Sequence, residues 1–350
     1  MMKRKGLFPL SRERPSPVIR RLSDRPVSIT AGQPVSISIP SRRHTTHHGG
    51  SSMRFILKKF SLGIAVVSLS AICLSAATKM AEAGGIPYVV IAPHEYQLPV
   101  GDDIPENGQT LLLSYNFFRD DSQGFKGKDT NGHSSVRNTV ATVNKLAHIF
   151  KIDGIDNVGF LWEAVAGYAN ATMKDDNSVS GMLDPQTGLV VWTKPTKNWV
   201  TCLEYWMHIP FGDNELSAHS WDHDFTFMTN YVLGNFTFDG DVGYKVRGDY
   251  KHGGEHRKQK DTVFANLVFA YKFMNQVEPF VKLDYQSTGN STDKDTGDIV
   301  VHSNNELAYG VGNQFQITKR LSFAAWYEQG ITGKNTTKTK AGMFRAIWSF

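Results

Sequence analysis

Serine, histidine and acidic residues are plentiful in this chain, but none sits in a pattern that makes a reaction. There is no nucleophile elbow to present a serine. Two clusters come nearest to metal ligation. His219, Asp222, His223 and Asp224 crowd one short stretch, and two imidazoles with two carboxylates are a donor set that a transition metal accepts. His252-Gly-Gly-Glu255-His256 is the second. Both read more simply as polar loops. No metal, no cofactor and no catalytic residue is expected.

A third set is larger and more orderly. Charged and aromatic residues recur at every second position of extended stretches: Glu163; Glu204, Trp206 and His208; Asp239, Asp241, Lys245 and Arg247; Phe264; Phe280, Lys282 and Asp284; Trp326; and Arg345. Glu278, Glu306, Glu328 and Lys272 share the phase. Period two is the geometry of a strand, so each stretch shows these residues on one face. Charges of both signs can pair across a water-filled interior, and rings can stack a planar solute. The same residues can also serve only to hold a closed protein together, or to pack the rings against an N-terminal segment. His208 shares its face with Glu204, which suits a hydrogen-bond network better than hydrolysis.

The elements that carry these residues are twelve alternating segments, roughly 109–119, 134–150, 157–172, 182–193, 198–210, 224–233, 236–250, 262–273, 277–288, 304–316, 321–331 and 339–350. The seventh is the clearest. Phe236, Phe238, Val242, Tyr244 and Val246 oppose Asp239, Asp241, Lys245 and Arg247. The second alternates poorly, and its register stays open. In the twelfth, Gly342, Phe344, Ala346, Trp348 and Phe350 oppose Arg345 and Ser349. A closing strand that ends on aromatic residues is expected to pair with the first strand and leave no edge. Phe344, Trp348 and Phe350 are the expected assembly signal, read by the barrel-assembly machinery.

Connections give an independent test. Longer polar ones follow the odd segments, such as Asp120–His133, Gly212–His223, Lys251–Asp261 and Gly289–Ser303. Short ones follow the even segments, such as Lys194–Lys197, Gly234–Asn235 and Thr318–Arg320. Long outer loops alternating with short inner turns mark outer-membrane barrels. The fold class is therefore all-β: a transmembrane antiparallel up-and-down β-barrel of about twelve strands. Strands of about 11 residues tilted near 40° span roughly 25–28 Å, the height of an outer-membrane apolar band. Twelve of them give a backbone radius of roughly 12–13 Å, which side chains narrow to a slim passage or none.

Charge is unevenly spread. Residues 1–52 hold ten Lys/Arg against two acids, 53–83 four against one, and 84–350 24 against 30, so the overall +5 comes from the first 83 residues. That excludes a nucleic-acid reading. Residues 1–52 are Arg-, Ser- and Pro-rich and read as disordered, either an upstream extension or never translated, with Met53 as the true start. Residues 53–83 read as a signal peptide: a basic start at Arg54, Lys58 and Lys59, an apolar run from Phe60 to Ala77, and cleavage near Ala83. Cys202 is then the one cysteine left, so no internal disulfide is expected. Residues 84–108 carry Pro87, Pro93, Pro99 and Pro105, too many for a central strand, and form either a tail or a lumen plug. Residues 109–350 are the barrel, placed in the bacterial outer membrane.

Two short motifs carry a family resemblance. The fourth segment and its turn read Asp184-Pro-Gln-Thr-Gly-Leu-Val-Val-Trp-Thr-Lys-Pro195, and the fifth ends in His208-Ile-Pro210-Phe-Gly212-Asp213. A strand closing on a Pro-x-Gly-Asp turn, followed by hairpins and a terminal Phe, resembles the outer-membrane proteins linked to the meta-pathway of phenol degradation. The resemblance covers most of residues 109–350. It implies a small barrel that admits aromatic or other hydrophobic compounds, and it implies no catalytic residues. Two classes of function remain: passage of small hydrophobic or aromatic solutes, or a structural or adhesive barrel with a closed lumen. The expected partners are outer-membrane lipid and lipopolysaccharide, whose phosphates the basic run Arg257, Lys258 and Lys260 can meet, the assembly machinery and a small hydrophobic solute.

Overall fold

The computed structural model describes residues 91–350 except 129–130, 134–135, 175–177 and 214–215. The expected disordered stretch, signal peptide and first residues of the 84–108 segment lie outside the described residues.

Twelve antiparallel strands close into a barrel: β1 Gln109–Asp120, β2 Val136–Phe150, β3 Val158–Met173, β4 Gln186–Thr196, β5 Trp199–His208, β6 Asp222–Leu233, β7 Phe236–Val246, β8 Thr262–Tyr271, β9 Val277–Thr288, β10 Asn304–Thr318, β11 Leu321–Lys334 and β12 Lys340–Ser349. Each strand pairs with its neighbours in sequence. The ring shuts where β1 pairs β12, from Leu111 opposite Ser349 to Arg119 opposite Ala341. Closure removes the edges that a bilayer cannot satisfy.

The burial pattern is the inverse of a soluble protein's. Leu203 is 61% exposed and Val281 52%, while Glu163 and Glu328 are 0% exposed and Lys282 1%. This inversion fixes the register. A slip of one residue would turn every interior charge outward, and a lysine at the bilayer midplane costs about 2–4 kcal/mol. Tyrosines stand on the outer face toward the loop end of each odd strand from β3 to β9: Tyr168, Tyr205, Tyr244 and Tyr285. Stacked rings border the other end, among them Phe150 on Phe160 and Trp348 on Phe350. The two belts match the girdles of a membrane barrel.

Several boundaries shift by two or three residues from the sequence reading, and two differences have a clear local reason. The fourth segment is split. Ser178–Met182 pairs with the upper part of β3, and β4 proper starts at Gln186. Between them stands Pro185, which has no N–H to give to a ladder. The seventh segment stops at Val246 rather than 250, because the Gly248 N–H turns aside to Asp222 Oδ1, 3.0 Å away. Beyond it, Asp249–His252, Glu255–Lys258, Ser291–Asp293 and Ile299–Val301 form a small four-stranded sheet above the barrel.

Candidate functional site

The interior is where charge, aromatic surface and an unusual chain path meet. Residues 91–100 run inside the barrel, and 101–108 lead to β1 past the turn at 151–157, largely exposed; Ile91, Ala92, Tyr96, Leu98 and Ile104 are buried against the wall. The prolines that bar this segment from a strand leave its carbonyls free for side chains. Trp192 Nε1 donates to Pro99 O at 2.6 Å, Lys282 Nζ to Ile91 O at 3.2 Å and Arg345 Nη2 to Pro93 O at 3.1 Å. The segment's own side chains complete the docking. Arg345 is ion-paired with Glu95, which also accepts from the Tyr115 hydroxyl at 2.6 Å. Tyr96 donates to Asp241 at 2.7 Å, and His94 Nε2 sits 2.6 Å from Glu278. Asp239 accepts from the backbone N–H groups of His94 and Tyr96. Burial works against ionisation of Glu95, but Arg345 and Lys145 outweigh it and hold the carboxyl below its ordinary value.

Two similar constellations face the lumen from opposite sides of the ring. On one, Lys145 of β2 lies 2.9 Å from Glu163 and 5.7 Å from the centre of the Trp206 ring, with Glu204 beside them. On the other, Lys282 of β9 lies 3.2 Å from Asp284, 2.6 Å from Glu328 and 5.6 Å from the Trp326 ring. Each joins one lysine, two carboxylates and one tryptophan. Trp326 also donates to Glu328 at 2.7 Å.

The interior aromatics share a device. Trp206 is paired in register with Gly188, Phe264 with Gly243 and Trp326 with Gly312. A Cβ at any of these glycines would run into the facing residue's side chain, at the ring itself for Trp206 and Phe264. The missing side chain leaves room for the residue opposite. Phe280 meets Trp326 edge to face, centroids 6.0 Å apart.

The charges nearer the loops form two more networks. Lys245 is 3.2 Å from Asp222, Arg247 is 3.4 Å from the same carboxylate, and His208 is 2.6 Å from Asp224. Across the ring, Arg119 pairs with Asp121 at 2.5 Å, and Glu306 accepts from the backbone and hydroxyl of Thr339.

The structure thus puts Glu163, Trp206, Asp239, Asp241, Lys245, Phe264, Phe280, Lys282, Asp284, Trp326 and Arg345 on the buried interior face, with Glu204 and His208 partly exposed there. Arg247 lies one residue past β7. Lys272 departs from the expectation: it follows the last residue of β8 and is exposed in the turn. The cluster His219, Asp222, His223 and Asp224 is divided by strand alternation. Asp222 and Asp224 are buried within, His223 binds the outward Tyr205 hydroxyl at 2.8 Å, and His219 stacks on His252 with centroids 3.9 Å apart. Gly253 and Gly254 of the second cluster make a hairpin turn at positive φ. Sequence reasoning missed Lys145, because β2 alternates weakly. It also missed His94, Glu95 and Tyr96, which lie in no periodic stretch. The aromatic opposite a glycine across a hairpin was the signal available for the ring sites.

The two resemblance motifs touch. Asp184 accepts from the N–H groups of Gly212 and Ala218 at 2.8 and 2.7 Å, and Asp213 accepts from Met182 N–H at 2.6 Å. They clasp the break in β4 to the loop after β5. The family model described as "Putative MetA-pathway of phenol degradation" matches residues 82–346. The chain belongs to this family. Among solved structures, it resembles the COG4313 outer membrane channel from Pseudomonas putida F1, with TM-score 0.63 and 14% identity over 75% of this chain and 100% of that one. Weaker likeness is to the translocator domain of the autotransporter NalP from Neisseria meningitidis, with TM-score 0.43 and 9% identity over 83% and 98%. No curated protein matches the chain. Family and fold together make it an outer-membrane barrel.

Proposed function

We propose that the barrel passes small hydrophobic or aromatic compounds across the outer membrane, with the inner segment as its gate. One observation carries this reading. Trp206, Phe264 and Trp326 lie against glycines on the wall, an arrangement that a purely polar plug has no need of. At rest the three rings are buried, at 9%, 1% and 5% exposure; once the inner segment moves aside, a flat ring on the wall, Trp206 first, gives a planar solute a stacking surface. The family's description and the channel named among the similar structures point the same way. Passage is slow and selective, because the inner segment occupies the lumen at rest.

A closed structural or adhesive barrel is favoured by the dense interior ion pairs around Asp222, Lys282 and Arg345. Uptake of a labelled aromatic by cells with and without the protein separates the two, with conductance in a planar bilayer in parallel. Uptake that falls on loss of the protein, with low conductance, supports passage. Unchanged uptake and no conductance support the closed barrel, and large unselective conductance supports a general porin. In the cell, lipopolysaccharide surrounds the barrel, and the assembly machinery inserts it by the terminal aromatics Phe344, Trp348 and Phe350.

A further inference from the structure

The outer mouth of the barrel holds an aromatic seat. In the connection after β1, Gln123–Lys126 folds back on Asn131–His133 and meets the connection between β11 and β12. Phe125 N–H donates to Thr336 O and Lys338 N–H to Gln123 O, each at 2.9 Å, and Gly124 bridges Thr337 between them. A short piece of antiparallel ladder thus joins two outer loops.

The Phe125 ring reaches from this ladder onto the inner wall. Gly330 pairs with Ala308 and Gly333 with Glu306, and both partners are buried, so the two glycines face the lumen. A Cβ at Gly333 would stand 2.5 Å from the ring, and one at Gly330 3.2 Å from it. Neither glycine has a positive φ, so the backbone makes no demand for glycine at either position. The ring is what excludes a side chain there. Lys338 Nζ lies 5.8 Å from the ring centre, within cation–π reach. Glu306, Asn335 and Thr339 are buried beside this seat, although they stand at the loop end of the barrel, where an open mouth would wet them.

We propose that Phe125 is the latch of the outer mouth. Its ring, seated on Gly330 and Gly333, holds the β1–β2 connection down over the mouth, and the mouth widens for a solute when the ring leaves its seat. The inner segment gates the lumen below, through Lys282 and Arg345, so passage takes two releases. The latch rests on the proposed passage for its role; the seat stands on the geometry alone.

The test locks and frees the latch in the full chain. Gly124→Cys with Thr337→Cys places two cysteines across the bridge, close enough for a disulfide. Cys202 is buried and stays out of the exchange. In planar bilayers the oxidised pair is expected to cut channel openings several-fold, and reductant added to the same membrane to restore them. Phe125→Ala should raise openings several-fold and speed hydrogen exchange at the Lys338 N–H and the residue 125 N–H. Openings indifferent to oxidation and to Phe125→Ala overturn the latch, as does unchanged exchange in Phe125→Ala. Uptake of labelled toluene by cells separates the latch from the passage. Openings that answer to the lock, with uptake unaffected by loss of the protein, keep the latch and reject aromatic passage. Uptake that depends on the protein but is equal in the locked and reduced forms keeps the passage and rejects the latch.

Discussion

The two lysine–carboxylate–tryptophan constellations look alike in composition and differ in what covers them. The inner segment's polar bonds run to β7, β9, β12 and β1, through Asp239, Asp241, Glu278, Lys282, Arg345 and Tyr115. On the opposite side, among the described residues, a hydrogen bond from Trp192 of β4 to Pro99 O and a looser, exposed ion pair of Asp102 with Lys151 at 3.8 Å fasten it. The side chain of Lys282 is 0% exposed, and that of Lys145 18%. One constellation is therefore a clamp for the segment, and the other faces the less obstructed side of the lumen. If a solute passes, it passes along Lys145, Glu163 and Trp206.

Removing each lysine breaks this comparison most sharply. Lys282→Met leaves Asp284 and Glu328 buried without a cation, and breaking a buried pair in this way costs about 3–5 kcal/mol. Lys145→Met strands one fully buried carboxylate, Glu163, rather than two, since Glu204 is partly exposed, so its loss falls at the low end of that range, about 3 kcal/mol. Heat-modified gel mobility across a temperature series reads both. The Lys282 variant should unfold at a clearly lower temperature. Equal losses would mean that the two walls are equivalent.

The glycines facing the tryptophans come next. Gly188→Val pushes against the Trp206 ring, and Gly312→Val crowds Trp326 and Phe280, each overpacking by about 1–3 kcal/mol. The consequences should differ. Trp326 belongs to the apolar cluster that holds Ile91 and Tyr96, so Gly312→Val should loosen the segment and raise conductance. Trp206 stands outside that cluster, so Gly188→Val should narrow the path and slow aromatic uptake. A rise in conductance from Gly188→Val would reverse the assignment of the walls.

The outer half of this architecture was legible in the sequence, and much of the inner half was not. Outward Phe, Val and Tyr at period two read cleanly in β7 because lipid imposes one demand on every outward position. Inward positions answer to partners on other strands. Lys145 belongs inside because Glu163 needs it, and nothing in the sequence around residue 145 says so. The inner segment follows no period, since its carbonyls bind side chains rather than a ladder. Lys272 misled because phase was carried one residue past the end of β8. Pro185 and Gly248 were readable as breaks.

Single hydrogen bonds sharpen the contrast further. Tyr96→Phe removes a donor to the Asp241 carboxylate, a loss of about 1.5–3 kcal/mol, and Trp192→Phe removes a neutral bond to Pro99 O, about 0.5–1.5 kcal/mol. Tyr96→Phe should therefore lengthen open bursts in planar bilayers more than Trp192→Phe. The reverse order would place the main fastening on β4.

The smallest expected effect is one of pH, and its sign follows from His94. Burial opposes protonation of this imidazole, but Glu278 and Asp239 outweigh burial and the repulsion of Arg345, so its pKa is raised above the ordinary 6.5. A raised value means that the folded protein prefers the protonated form. The stabilisation is then fully present below about 6.5 and is lost as pH rises through the raised value. Glu278, 2.6 Å away, is the largest of the groups that favour the charge. Alkaline solution should thus release the segment from the clamped wall, and channel openings should become more frequent as pH rises past neutrality. His94→Gln keeps a donor for Glu278 but cannot titrate, so its opening frequency should stay flat over the same range. A pH response that survives His94→Gln would assign the sensitivity to another group and leave the clamp independent of His94.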